Sequence, residues 1–173
     1  MRYDYTTGAL TFSLSSNNPF DNEGVASGFN TFEDADVMSV GVGYDGGMWS
    51  AGLGYEALSD NTNTIGDVDH LIGSFTYAFG DATLKVIYGT ADFDAVGEDF
   101  DQYGASLDYV LGATTLTAFY SAVDPEVGDT GSATGLGVAY DLGGGASLKG
   151  GVVSFDDGSE TTTAYDFGVS MSF

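Results

Sequence analysis

Residues 164–173 read Ala-Tyr-Asp-Phe-Gly-Val-Ser-Met-Ser-Phe. Tyr165, Phe167, Val169, Met171 and Phe173 fall on one side of an extended chain, and Asp166, Gly168, Ser170 and Ser172 on the other. Side chains of a strand alternate sides, so this period of two defines a strand with one apolar and one polar face. The same split recurs upstream. Leu136, Val138, Tyr140 and Leu142 oppose Gly135, Gly137, Ala139 and Asp141; Tyr103, Ala105, Leu107, Tyr109 and Leu111 oppose Gly104, Ser106 and Asp108. Met38, Val40, Val42 and Tyr44 oppose Ser39, Gly41 and Gly43; Trp49, Ala51, Leu53 and Tyr55 oppose Ser50, Gly52, Gly54 and Glu56. Leu10, Phe12 and Leu14 repeat the pattern, and it is weaker over 70–79, 82–90, 113–123 and 146–155. About eleven strands follow, near 2–6, 9–16, 36–45, 48–57, 68–79, 82–91, 100–111, 113–123, 132–142, 146–155 and 162–173.

Most of these strands have roughly 8 to 12 residues, beyond the usual 5 to 6 and near the roughly 9 to 11 that cross a bilayer at a tilt. Their connections alternate. Tight turns fall at Thr7-Gly8, Gly46-Gly47, Gly80-Asp81, around Gly112 and at Gly143-Gly144-Gly145; longer polar loops cover 17–35, 58–67, 92–99, 124–131 and 156–161. Short turns at one end and long loops at the other describe an all-β fold, an antiparallel up-and-down transmembrane β-barrel of the bacterial outer membrane.

Composition agrees. The 173 residues include 27 glycines, two prolines and no cysteine, which removes disulfides and thiolate metal sites. Lys+Arg 3 against Asp+Glu 26 gives −23, so nucleic acid is excluded as a partner for want of cations to neutralise phosphates. No run approaches the roughly 18 to 20 apolar residues of a membrane helix. His70 is the only histidine, and the sequence has no G-x-S-x-G elbow, HExxH or P-loop, so no enzyme is expected.

Tyr44, Trp49, Tyr77, Phe79, Tyr109, Tyr140 and Phe173 lie on the apolar face beside a tight turn or the C-terminus. They form one aromatic girdle, with Tyr55, Tyr88, Tyr120 and Tyr165 near the long loops as its counterpart, where amphipathic rings meet lipid headgroups. The three basic residues, Arg2, Lys85 and Lys149, fall on the polar face. They are expected to line a pore opposite acidic groups such as Asp108, Asp141 and Asp166, with Glu56 on the same face, and to set up a transverse field across it. Carboxylates crowd two loops: Asp21, Glu23, Glu33, Asp34 and Asp36 in one, Asp92, Asp94, Glu98, Asp99 and Asp101 in the other. Asp92, Asp94, Glu98 and Asp99 are a candidate weak Ca²⁺ site; no other cofactor is expected.

The segments Ser50–Leu58, Ala139–Val152 and Ala164–Phe173 resemble the general porins of Gram-negative bacteria of the Rhodobacter type, over essentially the whole chain. The resemblance implies a sixteen-stranded water-filled barrel, a homotrimer, and passive diffusion of ions and small hydrophilic solutes. It also implies that the alternation ending in Tyr165, Phe167, Val169, Met171 and Phe173 is the signal read by the barrel-assembly machinery. Eleven strands against sixteen imply that residues 1–173 are an N-terminally truncated barrel, with five strands, the signal peptide and the constriction loop lying upstream. An autotransporter-type translocator or other structural barrel is the alternative, and a soluble acidic sandwich with a binding role is a third reading.

Overall fold

Alternation of large apolar with glycine, serine or threonine favours extended backbone, because the branched and aromatic residues pack on one side of a pleated surface. The computed structural model describes residues 1–16, 25–27, 30–32, 35–60, 66–94 and 99–172, with backbone alone at 25–27, 30–32, 35 and 60. Its elements are all strands: β1 (Arg2–Thr7), β2 (Leu10–Ser16), β3 (Val25–Ser27), β4 (Asn30–Phe32), β5 (Ala35–Asp45), β6 (Trp49–Asp60) and β7 (Val68–Phe79), then β8 (Ala82–Phe93), β9 (Phe100–Leu111), β10 (Thr114–Pro125), β11 (Gly131–Gly143), β12 (Ala146–Asp156) and β13 (Thr161–Met171). Eleven form one sheet in chain order, β1-β2-β5-β6-β7-β8-β9-β10-β11-β12-β13, and β3 pairs with β4 in a separate ladder. Those two short strands lie inside the loop expected over 17–35, where no alternation of side chains marks them.

The tight turns fix the register. At the β5–β6 turn the Gly47 N–H donates to Asp45 Oδ1 at 2.8 Å, and Gly47 takes φ 82°, a left-handed conformation that costs glycine little. Contacts divide the chain into two units, Met1–Ser74 with Tyr88–Asp101, and Phe75–Ile87 with Gln102–Phe173.

In the first unit Leu10, Phe12 and Leu14 face Tyr44, Val42 and Val40 across β2–β5. Those residues in turn face Ala51, Leu53 and Tyr55 across β5–β6. In the second, Leu116 and Ala118 face Val138 and Leu136, Leu136 faces Val152, and Val152 faces Tyr165. Each unit therefore carries a continuous apolar face, and that face is open. Among the described residues the only buried apolar side chains are Ala82, Ala91 and Ala122, while Tyr165 is 87% and Phe167 78% exposed. Leaving a Leu or Phe in water forfeits about 1.5–3 kcal/mol, so a sheet with this face and no packed core requires an apolar medium against it. The sandwich reading is thereby overturned: its core would lie between two layers, and here the large side chains point out of one. Between the two edge strands, β1 and β13, ladder pairing meets the other demand of a bilayer, that backbone groups be satisfied within the protein.

Candidate functional site: the polar face of the wall

On the polar face of the first unit, Arg2 Nε lies 3.0 Å from Asp4 Oδ2, two residues along β1 and so on the same side. Ser13 Oγ of β2 donates to Asp4 Oδ1 at 2.6 Å. Ser39 Oγ of β5 donates to Glu56 Oε2 of β6 at 2.7 Å, a pair set directly opposite by the register. Around these the wall is bare, with a shallow groove of about 310 Å³ lined by Thr11, Ser13, Gly41, Gly43, Gly52 and Gly54 among others.

The second unit holds a three-strand cluster. Lys85 Nζ of β8 donates to Asp108 Oδ2 of β9 at 3.1 Å, and Thr117 Oγ1 of β10 donates to Asp108 Oδ1 at 2.6 Å. Lys149 on β12 and Asp166 on β13 share this face but are diagonal neighbours, Lys149 opposite Gly168 and Asp166 opposite Gly151. Asp141 accepts from the Gly143 N–H at 2.8 Å and so caps a tight turn.

These contacts place two of the three cations expected to contribute to a transverse field. Arg2 and Lys85 lie in hydrogen-bonding contact with a carboxylate on their own or the adjacent strand, so their charge is offset locally. Asp4, Ser13 and Thr117 complete the clusters and were not among the expected site residues. Their roles depend on cross-strand register, which no single segment displays.

A second departure is apolar. Ile87, Phe119, Val153 and Phe155 share the strand parity of Lys85, Thr117 and Lys149, so they stand on the polar face. Phe119 lies over Gly135 of β11: a Cβ added there would come within 2.2 Å of its ring. Such side chains are why alternation is weak over 82–90, 113–123 and 146–155.

On the apolar face several aromatics stand beside the tight turns. Tyr44 and Trp49 stack with centroids 4.7 Å apart, Tyr77 and Phe79 at 5.6 Å, and Tyr109 and Tyr140 are exposed beside their turns. Phe173 lies outside the described residues. Toward the long loops, Tyr55 donates to Asp69 on the next strand and Tyr88 Oη donates to Asp101 Oδ1 at 3.0 Å. Each ring keeps its apolar body outward and satisfies its hydroxyl on the sheet.

The carboxylate-rich loop is put to structural use. Asp99 Oδ1 accepts from the Phe93 N–H at 2.9 Å, and Phe93 packs on Phe100 at 5.9 Å. Asp92 belongs to β8, one residue before its end, and Glu98 lies outside the described residues, as do Asp21, Glu23, Glu33 and Asp34 of the first loop. No three acidic or histidine side chains converge as a metal site among the described residues. In the connection after β12, Asp157 Oδ1 accepts from the Glu160 N–H at 2.7 Å and the Ser159 N–H at 2.9 Å. These bonds, the one from Glu160 foremost, hold its carboxyl below the ordinary aspartate value.

Known proteins share this arrangement. The chain is 30% identical to a porin of Rhodobacter capsulatus over 99% of its own length and 60% of the relative's. A porin structure refined at 1.8 Å superposes with TM-score 0.83 at 28% identity, over 99% of this chain and 60% of that one. An anion-selective porin of Comamonas acidovorans gives 0.84 at 17% identity, over 99% and 58%, a likeness of fold alone. The chain thus spans about three-fifths of the length of these proteins. The Gram-negative porin family model matches residues 1–161, and with the open apolar face and the hydrogen-bonded polar wall it places this chain in the Gram-negative porin family of outer-membrane proteins.

Proposed function

We propose that the polar face lines a water-filled channel through which ions and small hydrophilic solutes diffuse passively. The observation that carries this reading is the pairing of an exposed apolar face with a polar face whose hydroxyls and carboxylates are hydrogen-bonded to one another across strands. Serine, threonine and aspartate are spent on wall structure, as Ser13–Asp4 and Thr117–Asp108 illustrate, which supports a passive conduit over an enzyme. In the same proposal the pore prefers cations. Of the three basic residues in the chain, Arg2 and Lys85 are in contact with carboxylates and Lys149 stands diagonal to Asp166, so Glu56 and Asp141 leave the polar face with an excess of negative charge. The anion selectivity of the Comamonas protein belongs to that protein.

The chain supplies part of a larger barrel in this reading, in keeping with its three-fifths coverage of relatives, and the barrel works as a homotrimer in lipid. An outer-membrane OmpT of Vibrio cholerae, 19% identical, is known in a trimer form. The barrel-assembly machinery reads β13, where Tyr165, Phe167, Val169 and Met171 stand exposed on the edge strand.

Planar-bilayer recording of the protein purified from membranes tests the channel. Stepwise, ohmic conductance with a reversal potential on the cation side is expected in a KCl gradient; no steps in a well-incorporated sample would overturn it. Calcium uptake by Asp92, Asp94, Glu98 and Asp99 is tested separately by calorimetric titration with CaCl₂. Saturable heat lost in Asp94→Asn supports the site, and dilution heat alone removes it.

A further inference from the structure

Polar-face charges in this chain are mostly committed. Arg2 holds Asp4, Lys85 holds Asp108, Glu56 accepts from Ser39 and Asp141 caps a turn. Lys149 and Asp166 differ: among the described residues neither forms an ion pair or a hydrogen bond. Both line one groove of about 740 Å³, together with Phe119, Ser121, Val153 and Phe155. That volume lies within the roughly 300–1,000 Å³ of small-molecule sites.

The register sets the two charges on a diagonal rather than directly opposite. Asp166 faces Gly151, and Lys149 faces Gly168, so the charged residues are diagonal, with Cα atoms roughly 7–8 Å apart. Asp166 Oδ1 lies 3.4 Å from the point where a Gly151 Cβ would sit, which lays the carboxylate along a floor free of side chains. Beside this floor Phe155 is 49% exposed. With Phe119 and Val153 in the same groove, Phe155 gives the polar wall a local apolar bed beside the two charges.

We infer that this groove is a subsite for a small zwitterion with an apolar side chain, an aliphatic or aromatic α-amino acid being the simplest. The Lys149 ammonium meets the solute carboxylate, Asp166 accepts from the solute ammonium, and Phe119, Val153 and Phe155 bed its side chain. One free cation, one free carboxylate and one apolar bed in a single groove match a solute carrying all three complements. A purely cationic or anionic solute leaves one wall charge unanswered. The inference rests on the channel reading for its place on a diffusion path, but its chemistry does not require conduction.

The test is calorimetry on the protein in lipid nanodiscs with four probes: L-phenylalanine, glycine, phenethylamine and 3-phenylpropionate. Phenylalanine should bind saturably and about tenfold tighter than each of the others, with charge-assisted bonds at both ends. Phe155→Ala should weaken phenylalanine severalfold and leave glycine unmoved, while Lys149→Gln should bring phenylalanine down to the level of phenethylamine. Phenethylamine binding as tightly as phenylalanine and indifferent to Lys149→Gln would overturn the zwitterion, glycine matching phenylalanine would overturn the apolar bed, and dilution heat alone would overturn the subsite. Bilayer recording separates the two readings. Conductance steps without nanodisc binding remove the subsite and leave the channel; nanodisc binding without steps removes the channel and leaves the subsite.

Discussion

The polar face of the first unit is floored by glycine at Gly41, Gly43, Gly52 and Gly54 and lined by short hydroxyl side chains, with the Arg2–Asp4 and Ser39–Glu56 pairs beside them. The polar face of the second carries Lys85, Asp108, Lys149 and Asp166, with phenylalanine at 119 and 155. Their apolar faces do not differ in this way: Phe12, Val42 and Leu53 in one, Leu116, Val138 and Val152 in the other, are all exposed and aligned across strands. One kind of lipid-facing surface thus runs through both units, while the facing wall, floored by glycine in each, carries large aromatics over that floor around Phe119 and Phe155. Anchoring in lipid is a property of the first surface, and in the channel proposed above selectivity is a property of the second.

The largest effect should come from breaking the shared surface. Leu53→Arg on β6 and Val138→Arg on β11 each place a cation on the apolar face, at a cost of about 2–4 kcal/mol near the bilayer midplane. Gly43→Lys, on the polar face with nothing within 4 Å of a Cβ, should change stability by no more than about 1 kcal/mol. Urea titration in phospholipid vesicles measures all three. If Gly43→Lys cost as much as Leu53→Arg, the assignment of faces would be wrong.

A smaller effect, of opposite sign in the two regions, separates the two walls. Gly135→Ala drives a methyl into the Phe119 ring, an overpacking of about 1–3 kcal/mol. Gly43→Ala meets no neighbour and removes the entropic penalty of a strand glycine, for a gain of about 0.5–1 kcal/mol. Phe119→Leu should recover part of the Gly135→Ala loss; an unchanged loss in the double variant would mean that the ring is not its cause.

How far the sequence carries follows from the same contrast. Strands β5, β7 and β9 begin and end within one residue of expectation, because glycine or aspartate at the adjoining turns marks their ends. β6, β8 and β10 run two to three residues further, to Asp60, Phe93 and Pro125, where Asp and Ser suggest loop, although on β6 Asp60 still pairs with Ala35. Faces were readable wherever one side was apolar; the Phe119 and Phe155 region was not, because aromatics on both sides blur the period. The Lys85–Asp108–Thr117 cluster was readable as three polar-face residues and not as a cluster. Its members are brought together by register across β8, β9 and β10, and the sequence of each strand is silent about that.

Charge variants in that cluster should leave the fold nearly untouched. Lys85 and Asp108 side chains are 53% and 23% exposed, and a pair in that setting contributes about 0–1 kcal/mol. The readout is selectivity. Asp108→Asn leaves Lys85 uncompensated and should move the reversal potential in a KCl gradient toward anions; Lys85→Gln should move it toward cations. Shifts in the same direction would show that the pair does not set the potential at the wall.

The smallest effect is confined to the connection between β12 and β13, where Asp157 accepts from Glu160 and Ser159. Its carboxyl is held below the ordinary value of 3.8 by these bonds, so the ionised form is the one that the folded turn prefers. The stabilisation is therefore fully present above that ordinary value and is lost as the pH falls through the lower folded value. Amide exchange at Ser159 and Glu160 should accelerate in that acidic window while the amides of β12 and β13 stay protected, and Asp157→Asn should exchange fast at all pH values. Protection that is independent of pH in the native protein would assign the turn to its backbone bond from the Asp157 N–H to the Glu160 carbonyl, 3.2 Å long, and the carboxylate would then be incidental to it.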